Sequence, residues 1–172
     1  MEISIRKISL NDINELQQIG KLTFAETFSS VNSEENMKAY LEKGFSLEKL
    51  TQELEDQNAE FYFAELDKAT IGYLKVNVGQ SQTEIKDKSA LEIERIYVLK
   101  EYHGKKVGQM LYDKAIALAN EKQVEYVWLG VWEENSRAIR FYKKNGFTAF
   151  DKHIFKLGND EQTDIMMKRK LN

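Results

Sequence analysis

The sequence of 172 residues contains no cysteine, no proline and just two histidines. Without cysteine there is no disulfide framework, no thiolate zinc site and no cysteine nucleophile. Without proline, glycine, asparagine and serine must punctuate the chain. His103 and His153, with no evident carboxylate spacing around them, make a poor case for a metal site, and none is expected. No apolar run approaches the roughly 18 residues of a membrane span. The opening MEISIRKISLNDI lacks the basic region and apolar core of a signal peptide, so a cytoplasmic protein with no membrane partner is expected. A formal net charge of −3, with both signs spread along the chain, lacks the basic face that a nucleic acid would select. It suits a cationic ligand weakly.

What is present is the mixture of a soluble globular protein, with 42% apolar and 31% charged residues, enough for one full core and too short for two. One domain over residues 1–172 is expected. Ile3, Ile5 and Ile8 suggest a first strand, and Ser9 with Asp12 reads as a capping box opening a helix through about Phe28. Ser33 and Ser46 begin two further helical stretches, EENMKAYLEKG and LEKLTQELEDQ. The period then changes: FYFAEL, TIGYLKVNV and LEIERIYV read as consecutive strands, the first two joined by a turn at Asp67 and Lys68. A helix over about 108–122, the strand VEYVWLGV, the helix NSRAIRFYKKNG and two closing strands complete the order. That order predicts an α/β fold with a mixed sheet and helices on both faces.

The stretch HGKKVGQ, residues 103–109, follows a strand and opens a helix. Its backbone N–H groups converge where the helix dipole favours negative charge, so a pyrophosphate would fit there. A plain strand-to-helix connection relieved by glycine is the alternative. Neither G-x-x-x-x-G-K-[ST] nor G-x-G-x-x-G with a later acidic residue is present.

The segments LEIERIYVLKEYHGKKVGQMLYDKA and WLGVWEENSRAIRFYKKNGF, in that order, resemble the GNAT superfamily of acetyl-CoA-dependent N-acetyltransferases. The family pattern is Q/R-x-x-G-x-G/A on a strand-to-helix turn, then an Asn-capped helix with a tyrosine shortly before Gly-Phe. His103 stands at the Q/R position and Lys106 where the first glycine is expected, while Gly104 and Gly108 remain. A lysine there meets the penalty that a β-carbon places on positive φ. FAETF, ENMKAYLE and the tail KHIFKLGNDEQTDIMM further resemble the PaiA-type spermine/spermidine acetyltransferases. The resemblance implies a GNAT-like, mostly antiparallel central sheet, acetyl-CoA as donor without a metal, and a small primary amine, such as a polyamine, as acceptor. A homodimer is left open.

An alkyl amine has a pKa of about 10 and is mostly protonated at neutral pH, so its proton must leave before it attacks a thioester. Glu92 and Glu94 share a face of one predicted strand beside the turn. The resemblance selects Glu94 as the proton acceptor, directly or through water; a carboxylate paired with a lysine or arginine on a neighbouring strand is the alternative. The resemblance likewise gives Tyr142 as the acid that protonates the departing thiolate, against a buried core tyrosine. By the same matching, the backbone of Ile96, Tyr97 and Val98 would face the pantetheine arm. His103, Gly104, Lys105, Lys106, Val107, Gly108 and Gln109 would surround the pyrophosphate. Asn135 would cap its helix and contact the cofactor, and Lys144 would reach the adenosine phosphate. Glu26, Tyr40, Glu133 and Glu134 are candidates for an acidic acceptor groove. A relative acetylating a protein amine or an antibiotic, and a non-catalytic CoA-binding module, are the competing readings.

Overall fold

The computed structural model describes residues 2–171. Seven strands form one sheet in the order β1-β2-β3-β4-β5-β7-β6. They are β1 (Ile3–Lys7), β2 (Ala59–Leu66), β3 (Ala69–Val78), β4 (Ala90–Val98), β5 (Tyr126–Trp132), β6 (Thr148–Leu157) and β7 (Asp160–Lys170). All neighbours are antiparallel except β4 and β5. The helices are α1 (Ile13–Phe28), α2 (Glu34–Gly44), α3 (Leu47–Glu55), α4 (Val107–Glu121) and α5 (Ser136–Lys144). None is long and apolar enough to cross a membrane.

Local chemistry accounts for most boundaries. The Ser33 and Ser46 side chains accept from the amides of Asn36 and Lys49 and so cap α2 and α3. The Asp12 carboxylate accepts from the Ser9 amide at 3.0 Å, but this pair opens a short 3-10 turn, Leu10–Asp12, before α1 begins. Asp67 and Lys68 both have positive φ, 51° and 69°, the pairing that matches a two-residue hairpin to strand twist.

The sheet separates two apolar cores. Leu111, Tyr112, Ala115 and Leu118 of α4 pack with Leu74, Val76, Leu91, Val127 and Leu129 on one face. On the other, Leu16, Phe24 and Phe28 of α1, Met37 of α2 and Leu50 of α3 pack with Phe61, Phe63 and Tyr73.

The parallel pair positions the site. β4 and β5 are registered only at Ala90↔Tyr126, Leu91↔Val127 and Glu92↔Trp128. Beyond these residues β4 stays with β3 and β5 with β7, so the sheet splays open between them. The register of β4 on β3 shifts at that point: Lys75 faces Arg95 and Val76 faces Ile93, leaving Glu94 as the extra residue of a bulge. A bulge increases local twist and re-aims its side chain, which turns β4 away from β5 where the splay begins.

Candidate active site

A cavity of about 770 Å³ fills the splay, walled by Ile93–Val98 on one side, Leu129–Trp132 on the other and the start of α4 at one end. A second hollow of about 470 Å³ lies between Lys7, Asp56, Glu60 and Lys122, where Glu60 already holds Lys7 at 3.3 Å and Lys122 at 2.9 Å.

The α4 end of the large cavity is built for an anion. Among the described residues, none of the amides from Gly104 to Gln109 has a protein acceptor; the first bond of the helix is Met110 N to Lys106 O. No side chain caps this helix either. Several donors and the positive end of the dipole are therefore left for a ligand. The conformation that presents them needs positive φ at Gly104 (80°) and at Lys106 (65°). Lys106 thus takes the left-handed conformation usual for glycine, at a cost of about 1 kcal/mol, and adds a cation to the rim.

His103 does something the sequence did not suggest. Its Nε2 lies 2.8 Å from the Val98 carbonyl, so that nitrogen carries the proton and the ring closes the end of β4. The ring also lines the cavity, as do Ile96, Tyr97, Val98, Gly104, Lys106, Val107, Gly108, Gln109 and Asn135. Asn135 accepts from the Ala138 amide at 3.2 Å, the expected N-cap of α5. The Gln109 side chain turns to Asp113 at 2.9 Å. Lys105 and Lys144 are not part of the lining: Lys105 sits over the Tyr102 ring, and Lys144 is exposed on the last turn of α5.

Glu94 and Tyr142 both reach the cavity wall. Glu94 Oε1 accepts from Lys75 Nζ at 2.7 Å and Asn77 Nδ2 at 2.8 Å, and its Oε2 is 3.1 Å from Arg95. Glu53 of α3 binds Arg95 with both oxygens and lies 3.4 Å from Lys75. Burial alone would raise the Glu94 carboxyl, but Arg95 and Lys75 outweigh it and hold it at about 2. The pairing with neighbouring cations, one of the two sequence readings, is thus present alongside exposure to the cavity. Glu92 faces the opposite condition: burial raises it, and its oxygens accept from the Thr83 hydroxyl and amide and from Asn77.

Tyr142 packs its ring on Phe141 and Phe147. Burial pushes its hydroxyl up, and that hydroxyl has no hydrogen-bond partner among the described residues. A phenol kept protonated and unspent at a cavity wall is free to donate to a ligand.

The acceptor candidates separate. Glu134 and Glu26 line the cavity, although Glu26 accepts from the Lys100 amide at 3.1 Å and ties α1 to the turn. Glu133 is exposed outside the lining, and Tyr40 stacks on Phe24 at 4.4 Å within the aromatic core. Lys100 and Arg137 line the cavity and were missed. Arg137 left a signal, since a cation in the first turn of a helix opposes the dipole and needs another reason to be there. The set fits acetyl-CoA: free amides and cations at the α4 end, apolar walls, and a proton donor within.

The model of the acetyltransferase (GNAT) family matches residues 23–147. An uncharacterised N-acetyltransferase of Lactobacillus delbrueckii subsp. lactis is 40% identical over 98% of this chain and 98% of its own. The spermidine N(1)-acetyltransferase of Thermoplasma acidophilum is 29% identical over 99% and 98%. The crystal structure of a PaiA N-acetyltransferase from Thermoplasma acidophilum, in complex with coenzyme A, superposes with a TM-score of 0.82 at 27% identity, covering 99% of this chain and all of that one. Taken with the uncapped helix at the splayed sheet, these matches show that the chain belongs to the acetyltransferase (GNAT) family, as an acetyl-CoA-dependent N-acetyltransferase.

Proposed function

We propose that the protein acetylates a small primary amine, a polyamine such as spermidine or spermine, by direct attack of the amine on the acetyl-CoA thioester. The observation that carries this reading is the run of unpaired amides from Gly104 to Gln109 opening on the cavity that Glu94 and Tyr142 share. The amides, with Lys106, Lys100 and Arg137 around them, would hold the phosphates, and the edges of β4 and β5 would flank the pantetheine arm. The whole-chain likeness to a spermidine N(1)-acetyltransferase supports the choice of acceptor.

Acetyl-CoA supplies the activated acetyl group; the chain supplies position and protons. Tyr142 stays protonated because a phenol holds its proton more tightly than a thiol, and its O–H donates to the sulfur as negative charge develops there on departure. Glu94 plays a more limited part than a proton store. Between an amine near 10 and a carboxyl that Arg95 and Lys75 hold well below its ordinary value, direct transfer is strongly uphill. Glu94 instead attracts the ammonium to the β4 wall and orients a water, through which the proton leaves.

An acceptor panel with acetyl-CoA, read as free thiol, tests the proposal. Spermidine and spermine are expected to lead in kcat/KM over an N-terminal peptide and an aminoglycoside. A peptide ahead by tenfold or more would move the choice to protein acetylation.

A further inference from the structure

Across the splay from Glu94 stands Gly130, each two residues beyond the last registered pair, Glu92 and Trp128. Trp128, Gly130 and Trp132 alternate onto the sheet face that carries α1 to α3, where Trp132 meets Phe28 at 5.1 Å. Between two indoles the missing side chain is an opening. A Cβ at Gly130 would stand 3.6 Å from Asp164 Oδ2 and 3.6 Å from His153 Cε1. Asp164 lies on β7 on the same face as Gln162, whose side chain accepts from the Trp132 indole at 2.9 Å. The Asp164 carboxylate therefore stands directly behind the cavity wall at Gly130, outside the lining itself.

That carboxylate differs from Glu94 in having no partner that satisfies it. Among the described residues it makes no hydrogen bond, and the nearest cationic candidate is His153, with Nε2 at 3.7 Å. Glu84, from the loop after β3, is 3.3 Å from His153 Nδ1 but off hydrogen-bond geometry. Tyr97 of β4 and Tyr40 of α2 complete the surroundings, and both feel the Asp164 charge. Burial raises the Asp164 carboxyl; His153 opposes this and Glu84 adds to it. A partly buried anion with a second carboxylate nearby, faced among the described residues by His153 alone at 3.7 Å, is an incompletely satisfied ion pair.

We propose that Asp164 receives the non-reacting ammonium of a di- or polyamine, reached over Gly130 while the reacting amine stands between Glu94 and Tyr142. Asp164, with the charge of Glu84 behind it, then selects acceptors that carry a second positive charge. No bond is made or broken at Asp164, which is a specificity residue. The inference rests on the amine-acceptor reading above and adds to it the group that tells a polyamine from a monoamine.

The test compares spermidine with butylamine as acceptors for the wild type and Asp164→Asn. The wild type should favour spermidine. Asp164→Asn should lower kcat/KM for spermidine by roughly tenfold or more, mainly through KM, and change butylamine by less than about threefold. Acetyl-CoA affinity by calorimetry should stay the same. The substitution should not unfold the protein: a carboxyl raised above its ordinary 3.8 makes stability fall as pH rises through that window, and an amide removes this penalty. A melting temperature at neutral pH that does not drop checks this point. Asp164→Glu, which keeps the charge, should retain part of the spermidine preference. Equal losses on both amines, or no loss on either, would overturn the inference while leaving the acetyltransferase reading intact. A wild type that acetylates neither amine would remove the small-amine reading, and the inference with it.

Discussion

Glu94 and Tyr142 face one cavity under opposite electrostatic conditions, and substitution should separate their roles. Arg95 and Lys75 keep Glu94 ionised through the physiological range, so under the proposed mechanism its contribution to rate is electrostatic and does not titrate near neutrality. Glu94→Gln is expected to lower kcat/KM by roughly tenfold to a hundredfold, with the same loss at pH 7 and at pH 9. A loss that shrinks at high pH, where more of the amine is already neutral, would identify Glu94 as the proton acceptor after all. Stability gives an independent reading. A carboxyl depressed from 4.5 to about 2 contributes stability that is present above the ordinary value and lost as pH falls through the folded one. Its ceiling is about 3 kcal/mol, reduced in the variant because Glu53 still neutralises Lys75 and Arg95. The melting temperature of Glu94→Gln should accordingly fall below wild type at neutral pH and converge with it near pH 2. Tyr142→Phe keeps the packed ring and strands no hydrogen-bond partner, so the protein should melt normally and bind acetyl-CoA within about twofold. Its kcat should drop by roughly a hundredfold at every pH tested. Undiminished kcat would assign the thiolate's proton to another donor.

The turn into α4 converts local sequence into a run of unpaired amides, the proposed phosphate site. Gly104 and Lys106 supply two positive φ angles, and the helix begins with no capping side chain. Gly108 sits in the first turn without strain: a Cβ there would meet nothing nearer than Val98 Cγ2 at 3.9 Å. Gly108→Val should therefore fold, gaining about a few tenths of a kcal/mol in helix propensity, while its branched side chain crowds the amides. Calorimetry should show acetyl-CoA affinity reduced by tenfold or more. Unchanged affinity in the folded variant would remove the phosphates from this turn. Elements like this one were legible in the sequence because their causes are local. Serine caps, the Asp67-Lys68 hairpin and the glycine turn each act within a few residues. The partners of Glu94 were not legible, since Lys75 and Glu53 come from other elements and the bulge that aims the carboxylate depends on register with β3. Asp164 was hidden likewise. Its single trace is an aspartate inside a strand, where that residue is disfavoured.

The molecule as a whole works through one topological fact. A mostly antiparallel sheet contains one parallel pair, held at three registered residues and open beyond them. The order of strands and helices could be read from hydrophobic period, but the splay could not, because no residue pattern marks where two neighbouring strands cease to pair. In that gap the cavity brings the uncapped start of α4, Tyr142 and Glu94 to one space. The sequence lacks a cysteine to carry the acetyl group. Under the proposed direct attack, donor and acceptor occupy the gap together, and this is its central claim. Initial velocities measured over a grid of acetyl-CoA and spermidine concentrations test it most directly. Intersecting double-reciprocal lines are predicted, as a ternary complex requires. Parallel lines, the signature of an acetylated enzyme that releases CoA before the amine binds, would contradict it.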